Sequence, residues 1–228
     1  MRRPRTRVLS AFLLLLGLTF IPTPASADLN AVEYAGIGIP QSLAINADGS
    51  LIAKANTSGV QISRDFGATW TQTLSLTTVY GQVAMSPNGQ YLVAGGVASH
   101  DSLGRNQIGT YLYVSSDAGA TWVEKTASGT RAWNKLAISN DGTKILGSVE
   151  GIVRADSQGF PEIYVNGYIT YSSNSGTSFS GVLSFPFSYN SGVFGSFQDL
   201  DMTDDSNTFF AVQYNRNALA AESLCCEC

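Results

Sequence analysis

Apolar residues fall at alternate positions in short runs along this chain, and each run is closed by a polar tetrad. Leu43-x-Ile45, Val83-x-Met85, Leu136-x-Ile138 and Leu200-x-Met202 share this form, with tetrads such as Ala47-Asp48-Gly49-Ser50 and Asn140-Asp141-Gly142-Thr143. A period of two predicts strands with one face buried. Asp-Gly or Asn-Gly in the tetrad supplies the positive φ of a tight hairpin. A second strand is therefore predicted in each unit, over residues 51–55, 91–97, 145–149 and 208–213.

A second signature alternates with the first. SRDFGATW at 63–70 returns as SSDAGATW at 115–122 and, altered, as SSNSGTSF at 172–179. A third strand is predicted to lead into it, over 60–64, 110–116 and 168–173, and a fourth to leave it at Trp70, Trp122 and Phe179. Units of four antiparallel strands, repeated every roughly 40 to 60 residues, predict an all-β fold of β-propeller blades. Three blades are complete and a fourth is partial. The chain reads either as a small ring, closed by a strand over residues 31–34, or as the opening portion of a larger propeller cut short near Asn215, the second being favoured.

The recurring octet has a mechanical reading. Asp65, Asp117 and Asn174 are placed to accept backbone N–H bonds of their own turn, and Gly67, Gly119 and Gly176 to take positive φ. Trp70, Trp122 and Phe179 are placed to pack under the hairpin. Ser63, Ser115 and Ser172 open the three copies.

The ends of the chain differ from this repeat. MRRPRTR carries four arginines, and a largely apolar run from Val8 to Ile21 leads to Pro22, Pro24 and Ala25-Ser26-Ala27. That order predicts a secretory signal peptide over 1–27, cleaved after Ala27, with no membrane span remaining and a secreted, periplasmic or cell-surface product. The repeat domain is assigned to 28–214. Residues 215–228, with Cys225, Cys226 and Cys228, read as a disordered or artefactual tail of weak helix or coil. Cleavage leaves nine Lys and Arg against seventeen Asp and Glu, a formal charge of about −8, which argues against nucleic-acid binding.

The octets at Ser63 and Ser115 resemble the BNR or Asp-box repeat of sialidases, some glycoside hydrolases, sortilin-type receptors and photosystem assembly factors. The resemblance implies the blade and not one chemistry. Gly38-Ile39-Pro40-Gln41-Ser42-Leu43 also resembles the opening strand of sialidases, where an Arg-Ile-Pro sequence supplies one of three arginines that clamp the substrate carboxylate. Here that position is Gly38, which cannot replace a bidentate guanidinium. The arginines beyond the signal segment, Arg64, Arg105, Arg131, Arg154 and Arg216, form no recognisable triad, and no glutamate sits in a tyrosine-partnered motif.

Other constellations are sparse. Asp199 and Asp201 stand where the other units carry Ser42, Gln82 or Lys135 and Ala44, Ala84 or Ala137, which offers oxygen ligands for Ca²⁺. The favoured reading is nonetheless a solvated strand and turn, with no cofactor and no metal. Tyr164, Tyr168, Tyr189, Phe194 and Phe197 lie in or near the lengthened connections 151–167 and 185–197, where repeat proteins place binding surfaces. The sequence thus predicts a non-catalytic propeller that binds a protein or glycan through its loops. The alternatives are a sialidase-like hydrolase fragment and a structural repeat of a larger surface protein.

Overall fold

Apolar alternation and tight turns generate the strands in the order the sequence predicts. The structure, a computed structural model, describes residues 41–100, 106–149, 152–155, 161–165, 167–184, 195–203, 205–215 and 222–227. The first unit is β1 (Ser42–Ile45), β2 (Ile52–Asn56), β3 (Gly59–Ser63) and β4 (Thr71–Ser75). The second is β5 (Tyr80–Met85), β6 (Leu92–His100), β7 (Asn106–Gly109), β8 (Leu112–Ser115) and β9 (Val123–Lys125). A 3₁₀ turn at Thr126–Ser128 leads to the third: β10 (Trp133–Ile138), β11 (Ile145–Val149), β12 (Ile152–Ala155), β13 (Pro161–Val165), β14 (Tyr168–Ser172) and β15 (Ser180–Ser184). The fourth is β16 (Gly195–Met202), β17 (Thr208–Asn215) and β18 (Glu222–Glu227).

Each unit is an antiparallel meander. The sheet orders are β1-β2-β3-β4, β5-β6-β8-β9 with β7 on β6, β10-β11-β14-β15, and β16-β17-β18, while β12 and β13 form a separate hairpin. β18 corrects one expectation. Residues 222–227, read as coil, pair with β17 from Thr208↔Glu227 to Gln213↔Glu222, and Cys225 and Cys226 lie within that strand. Local propensity gave no strand signal there, and the pairing supplied by β17 overrides it. Residues 1–40, including the signal segment, Gly38 and the closing strand expected at 31–34, lie outside the described residues, as do Tyr189, Phe194 and Cys228.

The core is a series of interfaces between consecutive sheets. Ala53, Ala55, Val60 and Ile62 of the first sheet meet Val83, Leu92 and Ala94 of the second. Val93, Leu112 and Val114 of the second meet Trp133, Leu136 and Ile145 of the third. Leu146 and Ile169 of the third meet Phe197, Leu200, Phe209 and Ala211 of the fourth. Each sheet therefore has a leading face toward the next unit and a trailing face toward the previous one.

Polar clips fix the spacing along the innermost strands. The Gln41 amide donates to Val79 O at 2.6 Å and accepts from Gly81 N at 2.6 Å, while Ser42 Oγ bonds both Val83 N and Val83 O. Asn134 repeats the device by donating to Phe197 O. Gly81 permits the approach, because a Cβ there would stand 2.8 Å from Asn56 O.

Among the described residues Trp133 is the largest fully buried side chain, and its indole N–H donates to Thr110 O at 2.7 Å. It fills a slot between two glycines, since a Cβ on Gly95 would lie 2.9 Å from its ring and one on Gly147 2.6 Å. Trp133→Ala should cost about 3–5 kcal/mol through the cavity it leaves. Gly147→Ala should cost about 1–3 kcal/mol by overpacking the same slot. Urea unfolding of both variants, followed by tryptophan fluorescence and circular dichroism, checks these values.

Candidate functional site

Two kinds of hairpin line one end of the sheets: the β1–β2 type and the β3–β4 type. In the latter, Ser63 is wholly buried; its Oγ accepts the Gly67 N–H at 2.7 Å and donates to Asp65 Oδ1 at 2.8 Å. Asp65 Oδ1 then accepts the Thr69 N–H at 2.8 Å, and Oδ2 the Thr69 hydroxyl at 2.6 Å. The second copy repeats every bond, with Ser115, Asp117, Gly119 and Thr121 in those places. In the third, Asn174 Oδ1 accepts from Ser172 Oγ and Ser178 N, and its Nδ2 donates to Ser178 Oγ. The amide substitutes for the carboxylate by reversing one donor.

The turn needs two left-handed residues in succession. Gly67, Gly119 and Gly176 have φ of 87°, 78° and 79°, and they follow Phe66, Ala118 and Ser175 at 56°, 57° and 54°. The non-glycine member is disfavoured by order of 1–3 kcal/mol, so the serine and aspartate bonds must hold it. The sequence reading assigned positive φ only to the glycines and missed the residue before each.

The aromatics close the hairpins against the preceding unit. Trp122 packs on the interface between first and second sheets and donates from Nε1 to Thr73 Oγ1. Phe179 packs on the next interface along. Trp70 donates to Gly67 O of its own turn, and the Lys54 ammonium lies 4.0 Å from its ring centroid.

The inner hairpins use the same chemistry. Ser86 and Ser139 are buried; their hydroxyls donate to Asn88 Oδ1 and Asp141 Oδ1 and accept the N–H of Tyr91 and Lys144. These serines escaped the sequence reading, although a hydroxyl two residues before Asn or Asp is a legible signal in retrospect.

Hydrogen bonding dominates the electrostatics of this end. Asp65 and Asp117 are held down to about 2, chiefly by the hydroxyls of Thr69 and Thr121, and Asp141 to about 2, chiefly by Ser139. Asp48 and Asp205 are lowered by Ser50 and Thr203. A general acid needs the opposite shift, so these carboxylates act as fixed anionic acceptors.

Clefts run between the first and second units at this end. One, of about 550 Å³, is lined by Ser50, Arg64, Asn88, Gln90 and Asp117 among others; a second, of about 390 Å³, by Arg64, Asp65, Thr69, Thr71 and Thr73 with Ala120. Arg64 borders both and donates to Ala118 O at 2.8 Å.

A tyrosine–glutamate pair missed by sequence joins β8 to β9. Tyr113 OH donates to Glu124 at 2.7 Å across the register pair Tyr113↔Glu124. Burial and then Glu124 push the phenol up to about 12, so it stays protonated and serves as a cross-strand contact.

The arginines do not converge. Arg64 follows β3, whereas Arg131 precedes β10 at the opposite end of the sheets, where it donates to Ser128 O at 2.6 Å and lies 5.2 Å over Tyr168. Burial lowers its pKa.

Among the residues expected on a ligand surface, Phe197 is a correction. It is 2% exposed inside the third interface, because the alternation of β16 turns it toward Leu146 and Ile169. Tyr168 is half-buried beneath Arg131, and Tyr164 belongs to β13. Asp199 and Asp201 are exposed on β16 and accept the N–H groups of Leu200 and Met202. No cluster of three metal-ligating side chains occurs among the described residues.

Ser115→Ala should cost about 1–3 kcal/mol, since it strands the buried Gly119 N–H, and a lower urea midpoint at neutral pH checks it. Asp65, Asp117 and Asp141 fall from 3.8 to about 2 on folding. The unfolded chain binds more protons between those values, so their stabilisation is complete above about pH 5 and is lost as pH falls toward about 2. Melting temperature should drop over that window, and the drop should flatten when all three are changed to Asn.

No family model and no curated protein matches the sequence. Solved structures do. The GH74 xyloglucanase of Xanthomonas campestris is 16% identical with a TM-score of 0.55, over 83% of this chain and 28% of that one. Hydrazine synthase of Kuenenia stuttgartiensis is 14% identical with a TM-score of 0.55, over 87% and 49%. TolB of Acinetobacter baumannii is 14% identical with a TM-score of 0.53, over 83% and 41%. The chain spans less than half the length of each. Likeness at this identity speaks to fold alone, and with the sheet topology it shows an all-β propeller fold built of four-stranded antiparallel blades.

Proposed function

We propose that the protein is an exported, non-catalytic binding propeller that engages a protein or a glycan at the end opposite its serine–aspartate hairpins. One observation carries this reading: three consecutive units are built out at that same end. In the first unit, β2 and β3 are joined only through Thr57 and Ser58. In the second, the β6–β8 connection extends through β7; in the third, the β11–β14 connection carries the β12–β13 hairpin. In the fourth, β16 and β17 run 8 residues each, against 4 and 5 for their counterparts β1 and β2. Antiparallel order puts the start of β16 and the end of β17 beside those extensions.

Extensions with no part in holding the repeat together are where a scaffold diversifies for recognition. The other end supports the same division. Its carboxylates are engaged in their own turns, and its hairpins keep one length. A sialidase-like reading draws support from fold likeness to a GH74 enzyme, but Arg64 and Arg131 stand at opposite ends and cannot share one substrate carboxylate.

Replacing residues 151–166 by an Asn-Gly turn should weaken binding to the best ligand on glycan and peptide arrays at least about tenfold, some 1.4 kcal/mol. Melting temperature should stay within a few degrees. Undiminished binding by that variant, or cleavage of a sialyl reporter by the parent chain, removes the reading.

A further inference from the structure

The first and second serine–aspartate octets, SRDFGATW and SSDAGATW, differ at two positions, and at both the first copy carries a large exposed residue. Arg64 stands where the later copies have Ser116 and Ser173, and Phe66 where they have Ala118 and Ser175. Neither serves the turn, because every bond that holds it recurs in the second copy without them. Phe66 works against it. A bulky side chain is set at φ 56°, where the other copies use small ones, and it is 68% exposed, so burial offsets little of the strain. A backbone outlier that packing does not explain points to a function at that place.

Arg64 borders both clefts between the first and second units, and its bond to Ala118 O holds the guanidinium across from one unit to the other. Asp117 lies in the wall of the wider cleft; Asp65, directly before Phe66, lies in the wall of the narrower. Each carboxylate accepts three bonds within its own turn. A carboxylate has about four acceptor sites, so each keeps one for a further donor. A donor fork between two fixed acceptors suits vicinal hydroxyls, which donate and accept side by side, and an exposed aromatic face suits the C–H face of a pyranose ring. Most of the other side chains lining the clefts are hydroxyls and amides, such as Ser50, Asn88, Gln90, Thr69 and Thr71. An anionic ligand is opposed here by the two ionised carboxylates.

We infer that the first serine–aspartate hairpin carries a binding site for a neutral saccharide chain, laid along the two clefts with one ring on Phe66 and its hydroxyls shared among Arg64, Asp65 and Asp117. The second and third hairpins, with serine and alanine or serine at the two positions, lack both the fork and the aromatic face. The site is separate in place and in residues from the extended loops at the other end, and it stands whether or not that end binds.

Calorimetric titration of the purified chain with cello-, xylo-, manno- and maltohexaose tests this. At least one should bind with a Kd of about 1 mM or tighter, and a galacturonic acid hexamer should bind at least about tenfold more weakly. Phe66→Ala and Arg64→Ser, which install residues the second copy already carries, should each weaken the neutral ligand at least about tenfold and leave the melting temperature unchanged or raised. The variant lacking residues 151–166 should bind it as the parent does, which separates this site from the loop end. Absence of heat with all four neutral hexamers at about 10 mM overturns the inference. So does binding that both single variants retain, equal or tighter binding of the acidic hexamer, or binding lost with residues 151–166.

Discussion

A four-stranded meander with apolar side chains on both faces gains its stability by stacking, and the second and third sheets here are each covered by a neighbour on both faces. That constraint sets everything else. Ala53, Ala55, Gly95 and Gly147 are small because the next sheet, or a tryptophan, must come close. Gln41, Ser42 and Asn134 reach across because close sheets expose backbone N–H and C=O groups that need partners. The hairpin aromatic repeats the theme: Trp122 and Phe179 belong to one unit by sequence and to the previous interface by packing.

The strands and turns were legible because their signals are local. A period of two, an Asp-Gly tetrad and the S-x-D-x-G-x-T-W octet act within ten residues, and the described strands follow them closely. What escaped depended on pairing at a distance. β18 exists because β17 offers an edge, and its own residues show no alternation. Phe197 looked like a surface aromatic because its neighbours lie in a lengthened connection, yet the register of β16 turns it inward. Trp133 was not singled out at all, since the two glycines that admit it are 38 and 14 residues away in the chain. The mechanical reading of Asp65 and Asp117 agrees with their bonding, but the buried serine beside each was underrated. Its hydroxyl both receives the glycine N–H and orients the carboxylate.

The two ends of the sheets therefore differ in kind. One is closed by hairpins whose polar side chains are committed to one another, with carboxylates held well below their usual range. Such turns tolerate little change, as the third copy illustrates: Asn174 keeps every bond only because its amide can donate to Ser178. At the opposite end the side chains bond to backbone instead, as Asn56 accepts from Ser58 N, Thr78 donates to Asn56 O and Ser128 accepts from Leu112 N, and the chain extends there in three successive units. Rigid closure at one end supplies the support that longer excursions at the other require.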